Sequence, residues 1–130
     1  MKLTREEALK LHRQMWTDML AELGEKGVGK YDVSFAEDKL LVARNMFKAD
    51  WCKKHFPGDG ICDYCFLCEY ALQKEREGSV GHKCDACPIM WSPKHITFAC
   101  ERTDGVTWNK SPISEILALP ERRQTDEVCD

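Results

Sequence analysis

Large apolar side chains recur at helical spacing in the first part of the chain. Four of them share one face of a helix: Leu9, Trp16, Leu20 and Leu23. Thr4, followed three residues later by Glu7, forms a capping-box pattern, which is typical of a helix start. Gly24 is a residue type that commonly ends a helix. The pattern therefore predicts an amphipathic helix over residues 4–23.

A second helix is predicted after a glycine-containing link at residues 24–33. Ser34 and Glu37 form another capping-box pattern, and apolar residues at helical spacing follow it: Leu40, Ala43, Phe47 and Trp51. We expect this helix to reach His55 and to end before Pro57, because proline cannot continue a helix. The two helices can then form an antiparallel hairpin that buries both apolar faces.

Shorter elements are predicted beyond residue 57. Segment 69–77 favours a short helix closed by Gly78, and segments 96–100 and 105–108 favour a small β-hairpin. Ser111, as N-cap before Pro112, begins a last helix that ends at Pro120.

The predicted fold is mainly α within a single domain of 130 residues. Its parts are a helical hairpin (1–56), a zinc-knuckle module with one small β-hairpin (57–108), a C-terminal helix (109–120) and a flexible tail (121–130). The 43% hydrophobic and 32% charged content is typical of soluble globular proteins. No apolar run could span a bilayer, and the N-terminus lacks the apolar core of a secretory signal. We therefore expect a cytoplasmic protein.

The cysteines add a candidate chemistry to this helical plan. Cys62, Cys65 and Cys68 are separated by two residues each, and Cys84 and Cys87 repeat that spacing. A two-residue spacer lets both thiolates of a pair point into one tetrahedron, and reduced thiols are expected in a cytosolic protein. The pattern predicts a structural zinc ion.

Two ligand registers fit this pattern. The preferred set is Cys65, Cys68, Cys84 and Cys87, because a short helix fits between the two pairs. The competing register takes Cys62 and Cys65 as the first pair. In either register, the residues between the paired cysteines must turn tightly so that backbone N–H groups point at sulfur.

More candidate ligands are present than one zinc needs. Cys52 and His55 lie at positions i and i+3 of the second helix and, with Cys62 and Cys100, would form a second metal site. The alternative is that Cys52 packs in the core, as free cysteines often do, and that His55 is a solvated helix end. Cys129, in the tail, is expected to be a free thiol.

An iron–sulfur cluster is the alternative cofactor. Bacterial ferredoxins carry three cysteines at two-residue gaps and a fourth before proline. Cys62, Cys65 and Cys68 match the first three, and Cys87 with Pro88 supplies the fourth from a distance. In ferredoxins the fourth cysteine follows after only three residues, which is a large departure.

The sequence contains no motif that indicates an enzyme. It lacks the H-x-E sequence of zinc deaminases and the H-E-x-x-H sequence of metalloproteases. A zinc ion with four thiolate ligands is coordinatively closed, which is typical of structural sites. We therefore expect a binding protein rather than a catalyst.

Residues 65–71 (C-F-L-C-E-Y-A) and 84–89 (C-D-A-C-P-I) resemble small cysteine-rich proteins of bacteriophages and prophages. Those proteins pair a C-x-L-C hook with a C-x-x-C-P-[LI] hook and carry a further cysteine, to which Cys100 corresponds. The resemblance spans about residues 62–108 and excludes the two preceding helices. It implies a bound metal and a phage context, but no reaction. Cys62 departs from the pattern.

The leading interpretation is a zinc-stabilised, phage-type binding protein that docks on a partner protein. A host or defence factor, inhibited or modulated in the host cytoplasm, is the natural target in a phage context. Trp91 and Trp108 are candidate contacts, since tryptophan is enriched at interfaces. The alternative is that both tryptophans pack against the zinc module.

Two other binding functions stay open. Nucleic acid could bind a basic patch of dispersed residues: Lys53, Lys54, His55, Lys83, Lys94 and His95, with Trp91 and Phe98 stacking on bases. A net charge of −3 disfavours a general DNA binder. A small nucleotide signal could instead stack between the tryptophans.

Overall fold

The computed structural model describes residues 2–57, 65–91, 99–102 and 105–122, without the side chains of Asp85, Ala99 and Arg102. Its helices are α1 (Arg5–Leu23), α2 (Lys39–His55), α3 (Phe66–Arg76), α4 (Ala99–Arg102) and α5 (Ile113–Leu117), with a 3₁₀ helix at Lys83–Ala86. The chain is mainly helical, as predicted. None of the helices in this part of the chain has the length and apolar character needed to cross a bilayer.

Helix α1 has the bounds that the sequence predicts. The Thr4 hydroxyl accepts the N–H of Glu7, and the Glu7 carboxylate accepts the N–H of Thr4, which completes the capping box. Gly24 follows the helix with a φ of 79°, a left-handed conformation that favours glycine. The buried face of α1 comprises Ala8, Leu9, His12, Met15, Trp16, Met19 and Leu23.

Helix α2 starts later than predicted. Ser34 does not cap it, because both its N–H and its hydroxyl donate to the Asp32 carboxylate. The N-cap is Asp38, which accepts the N–H of Leu41 at 3.1 Å. A local Asp–Ser interaction therefore replaces the predicted capping box. The helix ends at His55, as predicted.

Helix α3 begins earlier than the predicted range of 69–77. It spans Phe66–Arg76, and its N-cap is Cys65, whose sulfur accepts the N–H of Cys68. The first cysteine pair therefore belongs to the helix start instead of preceding it. Gly78, with a φ of 77°, follows the end of the helix, as predicted.

The predicted β-hairpin is absent from the described part of its segment. Ala99 and Cys100 lie in the short helix α4, and residues 105–108 form no strand. Residues 96–98 and 103–104 lie outside the described residues. The β pairing among the described residues is an isolated bridge between Ile89 and Glu121.

The last helix starts one position later than predicted. Pro112, not Ser111, is the N-cap of α5 and makes no side-chain capping bond. The Ser111 hydroxyl instead accepts the N–H of Thr107 at 2.8 Å, which ties it to the preceding turn. The tail beyond residue 122, including Cys129, lies outside the described residues.

The end of the described chain returns to α1 and to the second cysteine pair. The Arg122 guanidinium donates to the carbonyl oxygen of Cys84 at 3.1 Å. The Arg5 guanidinium donates to the carbonyl oxygen of Arg122, and Arg13 pairs with the Glu121 carboxylate at 2.8 Å. Residues 121–122 thereby connect the start of the chain to the cysteine region.

Helix α1 lies at the centre of the core. The predicted contact with α2 is present, but α1 packs more extensively against α3 and α5. The core includes Leu9, Met15, Trp16, Met19, Leu23, Phe47, Trp51, Phe66, Leu67, Ile89, Trp91, Ile113 and Ile116. Each fully buried large side chain of this kind contributes about 1.5–3 kcal/mol to the free energy of unfolding. Because residues of α1 and α3 share this core, the cysteine region packs directly on α1.

A buried arginine on α2 joins three segments of the chain. Arg44 is 0% exposed, and its guanidinium donates to the carbonyl oxygens of Trp108, Lys26 and Ser111 at 2.7, 3.0 and 2.6 Å. It also lies 5.8 Å from the centre of the Trp16 ring, within cation–π range. Burial lowers the pKa of Arg44 to about 10, so it remains charged near neutral pH.

We predict that Arg44→Met lowers the free energy of unfolding by about 3–5 kcal/mol, because three carbonyl oxygens lose a charged donor. Urea denaturation followed by circular dichroism measures the change. Arg76→Met, at an exposed position of α3, is the control, with an expected change below about 0.5 kcal/mol. Equal effects of the two substitutions would contradict the assigned role of Arg44.

Candidate metal centre

A cavity of about 560 Å³ opens beside α1, α2 and α3. Five cysteine side chains line it: Cys65, Cys68, Cys84, Cys87 and Cys100. The structure thus brings the four preferred ligands to one space and adds Cys100 to them. Cys62 lies outside the described residues, so the choice between the two registers stays open.

Backbone N–H groups at the start of α3 point at the sulfur of Cys65. The N–H of Cys68 lies 3.3 Å from that sulfur. The pKa of Cys65 is lowered first by a hydrogen bond from the Cys68 thiol, and then by the nearby Lys48 ammonium and by the N–H groups of Cys68 and Leu67. Burial acts in the opposite direction and raises this pKa. The pKa of Cys68 is raised by donating that bond and by burial. Cys65 is therefore the more acidic thiol of the pair.

The second cysteine pair lies on a tight turn. The N–H of Cys87 donates to the carbonyl oxygen of Cys84 at 3.4 Å, and the N–H of Cys84 donates to Nδ1 of His82 at 3.1 Å. Burial raises the pKa of Cys87 to about 11, while the N–H of Ile89 opposes that rise. Both pairs therefore have the backbone N–H groups near sulfur that a thiolate requires.

The thiols line the wall of the cavity, but they are not clustered around one position where an ion could bind. Within the described ranges, no three side chains of metal-binding type are close enough to hold one ion. None of the six cysteines whose side chains are described forms a disulfide. A single ion would therefore have to draw the sulfurs inward, whereas a larger polynuclear group would require less movement.

Lys48 places a buried positive charge beside the thiols. It is 4% exposed, and its ammonium lies 3.9 Å from the centre of the Trp108 ring and 5.1 Å from that of the Trp16 ring. Among the described residues, no carboxylate forms an ion pair with it. Burial lowers the pKa of Lys48, and three thiols oppose that effect: Cys65, Cys68 and Cys100.

His12 is a neutral polar group in the cavity wall. Its side chain is buried, its Nε2 has no hydrogen-bond partner among the described residues, and its ring lies edge-on to Trp91 at 6.4 Å. Burial, and then the charges of Lys48 and Arg13, lower the pKa of His12 to about 3. The imidazole is therefore uncharged at neutral pH.

The described members of the second predicted metal site do not lie in one cavity, and Cys62 lies outside the described residues. Cys52 is buried in the core, where burial raises its pKa to about 11. His55 stacks on Trp51 at a centroid distance of 3.9 Å, and its Nδ1 lies 2.9 Å from the Trp51 carbonyl oxygen. Neither residue lines the cavity that holds Cys100. The alternative, in which Cys52 is a core residue, fits this arrangement.

The two tryptophans predicted as partner contacts lie in the cavity wall. Trp91 is only 8% exposed, and Trp108 is half-buried. This placement agrees with the alternative interpretation, in which both tryptophans pack against the cysteine region. Within the described ranges, the large apolar side chains that are exposed are Phe35 and Met46, at 78% and 39%.

The described members of the predicted basic patch lie in different places. Lys53 and Lys54 are exposed on α2, whereas Lys83 lines the cavity and Trp91 is buried. Three of its predicted members lie outside the described residues: Lys94, His95 and Phe98.

Sequence reasoning missed Lys48 and His12 as residues of this site. A signal was present on α2, where Arg44, Lys48 and Cys52 follow one another at intervals of four, beside the apolar stripe of the same helix. Charged residues at that spacing usually form a solvated face. Only the tertiary packing shows that α2 buries its charged stripe as well as its apolar one.

We predict that His12 makes the protein less stable below pH 6.5. The unfolded chain binds a proton on His12 between about pH 3 and 6.5 while the folded chain does not, so stability falls as the pH falls through this window. Relative to His12→Leu, the wild type should lose about 2 kcal/mol of unfolding free energy between pH 7 and pH 5. Urea denaturation at both pH values measures it, and an equal pH dependence would refute the prediction.

No protein-family model, curated protein or solved structure matches this chain.

Proposed function

We propose that this chain is a small zinc-stabilised binding protein. The observation that carries the proposal is the lining of one cavity by five cysteine side chains that come from separate segments. Four thiolates drawn from this set would hold the ion, with the two C-x-x-C pairs as the preferred ligands. The ion would supply a second cross-link between α3 and the 3₁₀ segment, which are already joined by the hydrogen bond from the Lys83 N–H to the Glu75 carboxylate at 2.6 Å.

The chemistry of the donor set supports zinc. Thiolates are soft ligands that select zinc, copper(I) and iron–sulfur clusters over magnesium or calcium. Backbone N–H groups near the Cys65 and Cys87 sulfurs stabilise the deprotonated form that metal binding requires. A site with four thiolates has no open coordination position, so it supports a structural role and not hydrolysis.

An iron–sulfur cluster is a second candidate. It is supported by the spread of the thiols around a cavity of about 560 Å³, with no tight group of three metal-binding side chains in the described part of the chain. Cys87 and Pro88 retain the Cys–Pro step of ferredoxins. This candidate would give the protein a redox function.

We predict that the purified protein holds about one zinc ion per chain and is colourless. Elemental analysis beside a visible spectrum tests this, and iron with absorption in the visible range would favour the cluster instead. Cys87→Ser should lose most of the metal, because a ligand is removed. Cys52→Ser, at a buried cysteine outside the cavity, should keep it. Full metal content in Cys87→Ser would contradict the ligand assignment.

The binding function we propose is docking on a partner protein. It is supported by the exposed aromatic side chain of Phe35, which lies in the α1–α2 connection, and by Met46 on α2. Phenylalanine and methionine are among the residue types that are enriched at protein–protein interfaces. The resemblance to phage proteins favours a host or defence factor in the host cytoplasm as the partner.

We predict that Phe35→Ser weakens capture of a partner from a bacterial lysate at least about tenfold, which is the usual effect of removing an aromatic anchor. The variant's melting temperature should stay within the error of the wild type, because the side chain is 78% exposed. The measurement compares immobilised wild type, Phe35→Ser and Lys53→Ser. Capture that is unaffected by Phe35→Ser, or absent from the wild type, would contradict docking through this residue.

A further inference from the structure

We propose that Cys100 is a thiolate ligand of the candidate metal centre and that Lys48 is the buried cation that offsets the charge of that centre. The proposal rests on the proposed function, because it concerns the same cavity. It goes beyond the two C-x-x-C pairs, since it assigns a ligand to α4 and a charge-balancing residue to α2.

The position of Cys100 supports its role as a ligand. It lines the cavity together with both cysteine pairs, although it lies beyond them in sequence. The same cavity wall includes Cys65 and Cys68 of one hook and Cys84 and Cys87 of the other. Cys100 therefore lies near thiols of both hooks.

The backbone around Cys100 is fixed by a residue of the same wall. The N–H of Trp108 donates to the carbonyl oxygen of Cys100 at 2.9 Å. Trp108 itself is held because its own carbonyl oxygen accepts a hydrogen bond from Arg44 at 2.7 Å. Its ring lies over the Lys48 ammonium. Cys100, Trp108 and Lys48 are thus parts of one connected arrangement.

The charge of Lys48 supports the second half of the proposal. A zinc ion with four thiolates has a net charge of about −2, which is costly to bury without a nearby cation. Lys48 is buried, faces the thiols of Cys65, Cys68 and Cys100, and has no carboxylate partner among the described residues. The ammonium of Lys48 would therefore offset about half of the charge of the occupied centre. The two tryptophan rings hold the ammonium in place.

Five thiols exceed the four that one zinc ion binds. If Cys100 is a ligand of one zinc, a thiol from one hook must lie outside the coordination sphere. The proposal therefore differs measurably from coordination by the two hooks alone, in which Cys100 would be dispensable.

Cobalt(II) titration of the metal-free protein tests the role of Cys100. The thiolate-to-cobalt charge-transfer absorption reports which thiolates bind and in what geometry, so Cys100→Ser should change the band and weaken binding at least about tenfold, even where the spare hook thiol takes the vacant position. Cys52→Ser is the matched control, with an unchanged spectrum and affinity. Cys100→Ala is the second variant, and circular dichroism verifies that each is folded.

The outcomes separate this proposal from the proposed function. If the wild type binds neither cobalt nor zinc, the proposed function itself is wrong. If the wild type binds cobalt and both Cys100 variants match its spectrum and affinity, only the assignment of Cys100 is overturned. Visible absorption from iron in the isolated protein would indicate a cluster, and the zinc ion assigned in both proposals would then be wrong.

A second arm tests Lys48. Lys48→Met removes the charge while keeping a side chain of similar length, and should weaken cobalt binding about 10–100-fold, as is typical for residues that support a metal site. Lys48→Gln is the second variant if the first does not fold, and Lys48→Arg should restore most of the affinity. Lys53→Met, exposed on the same helix, is the control. Lys48→Met binding within about threefold of the wild type would overturn the assignment.

Discussion

The fold depends on the compensation of two buried positive charges on one helix. Arg44 and Lys48 lie one turn apart on α2, and both are almost completely removed from solvent. An unpaired charge in a protein interior is strongly destabilising. Arg44 is compensated by three backbone carbonyl oxygens, which belong to Lys26, Trp108 and Ser111. Lys48 is surrounded by aromatic rings and thiols. The position of α2 is therefore linked to the state of the cysteine region.

Helix α1 takes part in this linkage and also forms the centre of the core. α1 supplies the Trp16 ring that lies near both cations. Its other contacts reach α3 and α5, so the same helix supports the cysteine region and the segment that Arg44 holds. Helix α1 therefore contributes both to hydrophobic packing and to the compensation of the two buried charges. A change to the thiols would reach the helical part of the protein through Lys48 and Trp16.

The sequence predicted the elements whose signals are local. The capping box of Thr4 and Glu7, the end of α2 at His55 and the turn at Gly78 depend on a few neighbouring residues, and all are present. Where two local signals competed, the prediction failed: Asp32 binds Ser34, and Asp38 caps the helix instead. The grouping of the five cysteines was predicted in part from spacing. The burial of Lys48 and His12 was not, because it arises from packing between distant segments.

The return of residues 121–122 to the start of the chain has a consequence for biosynthesis. Arg5 and Arg122 are 117 positions apart, and their contact lies beside the bond from Arg122 to Cys84. Contacts between such distant residues form late, since the entropy of closing the loop precedes any gain from the contact. The second cysteine pair therefore reaches its described arrangement only after residue 122 has been synthesised. Completion of the cysteine cavity thus waits for a segment that follows all five of its cysteines.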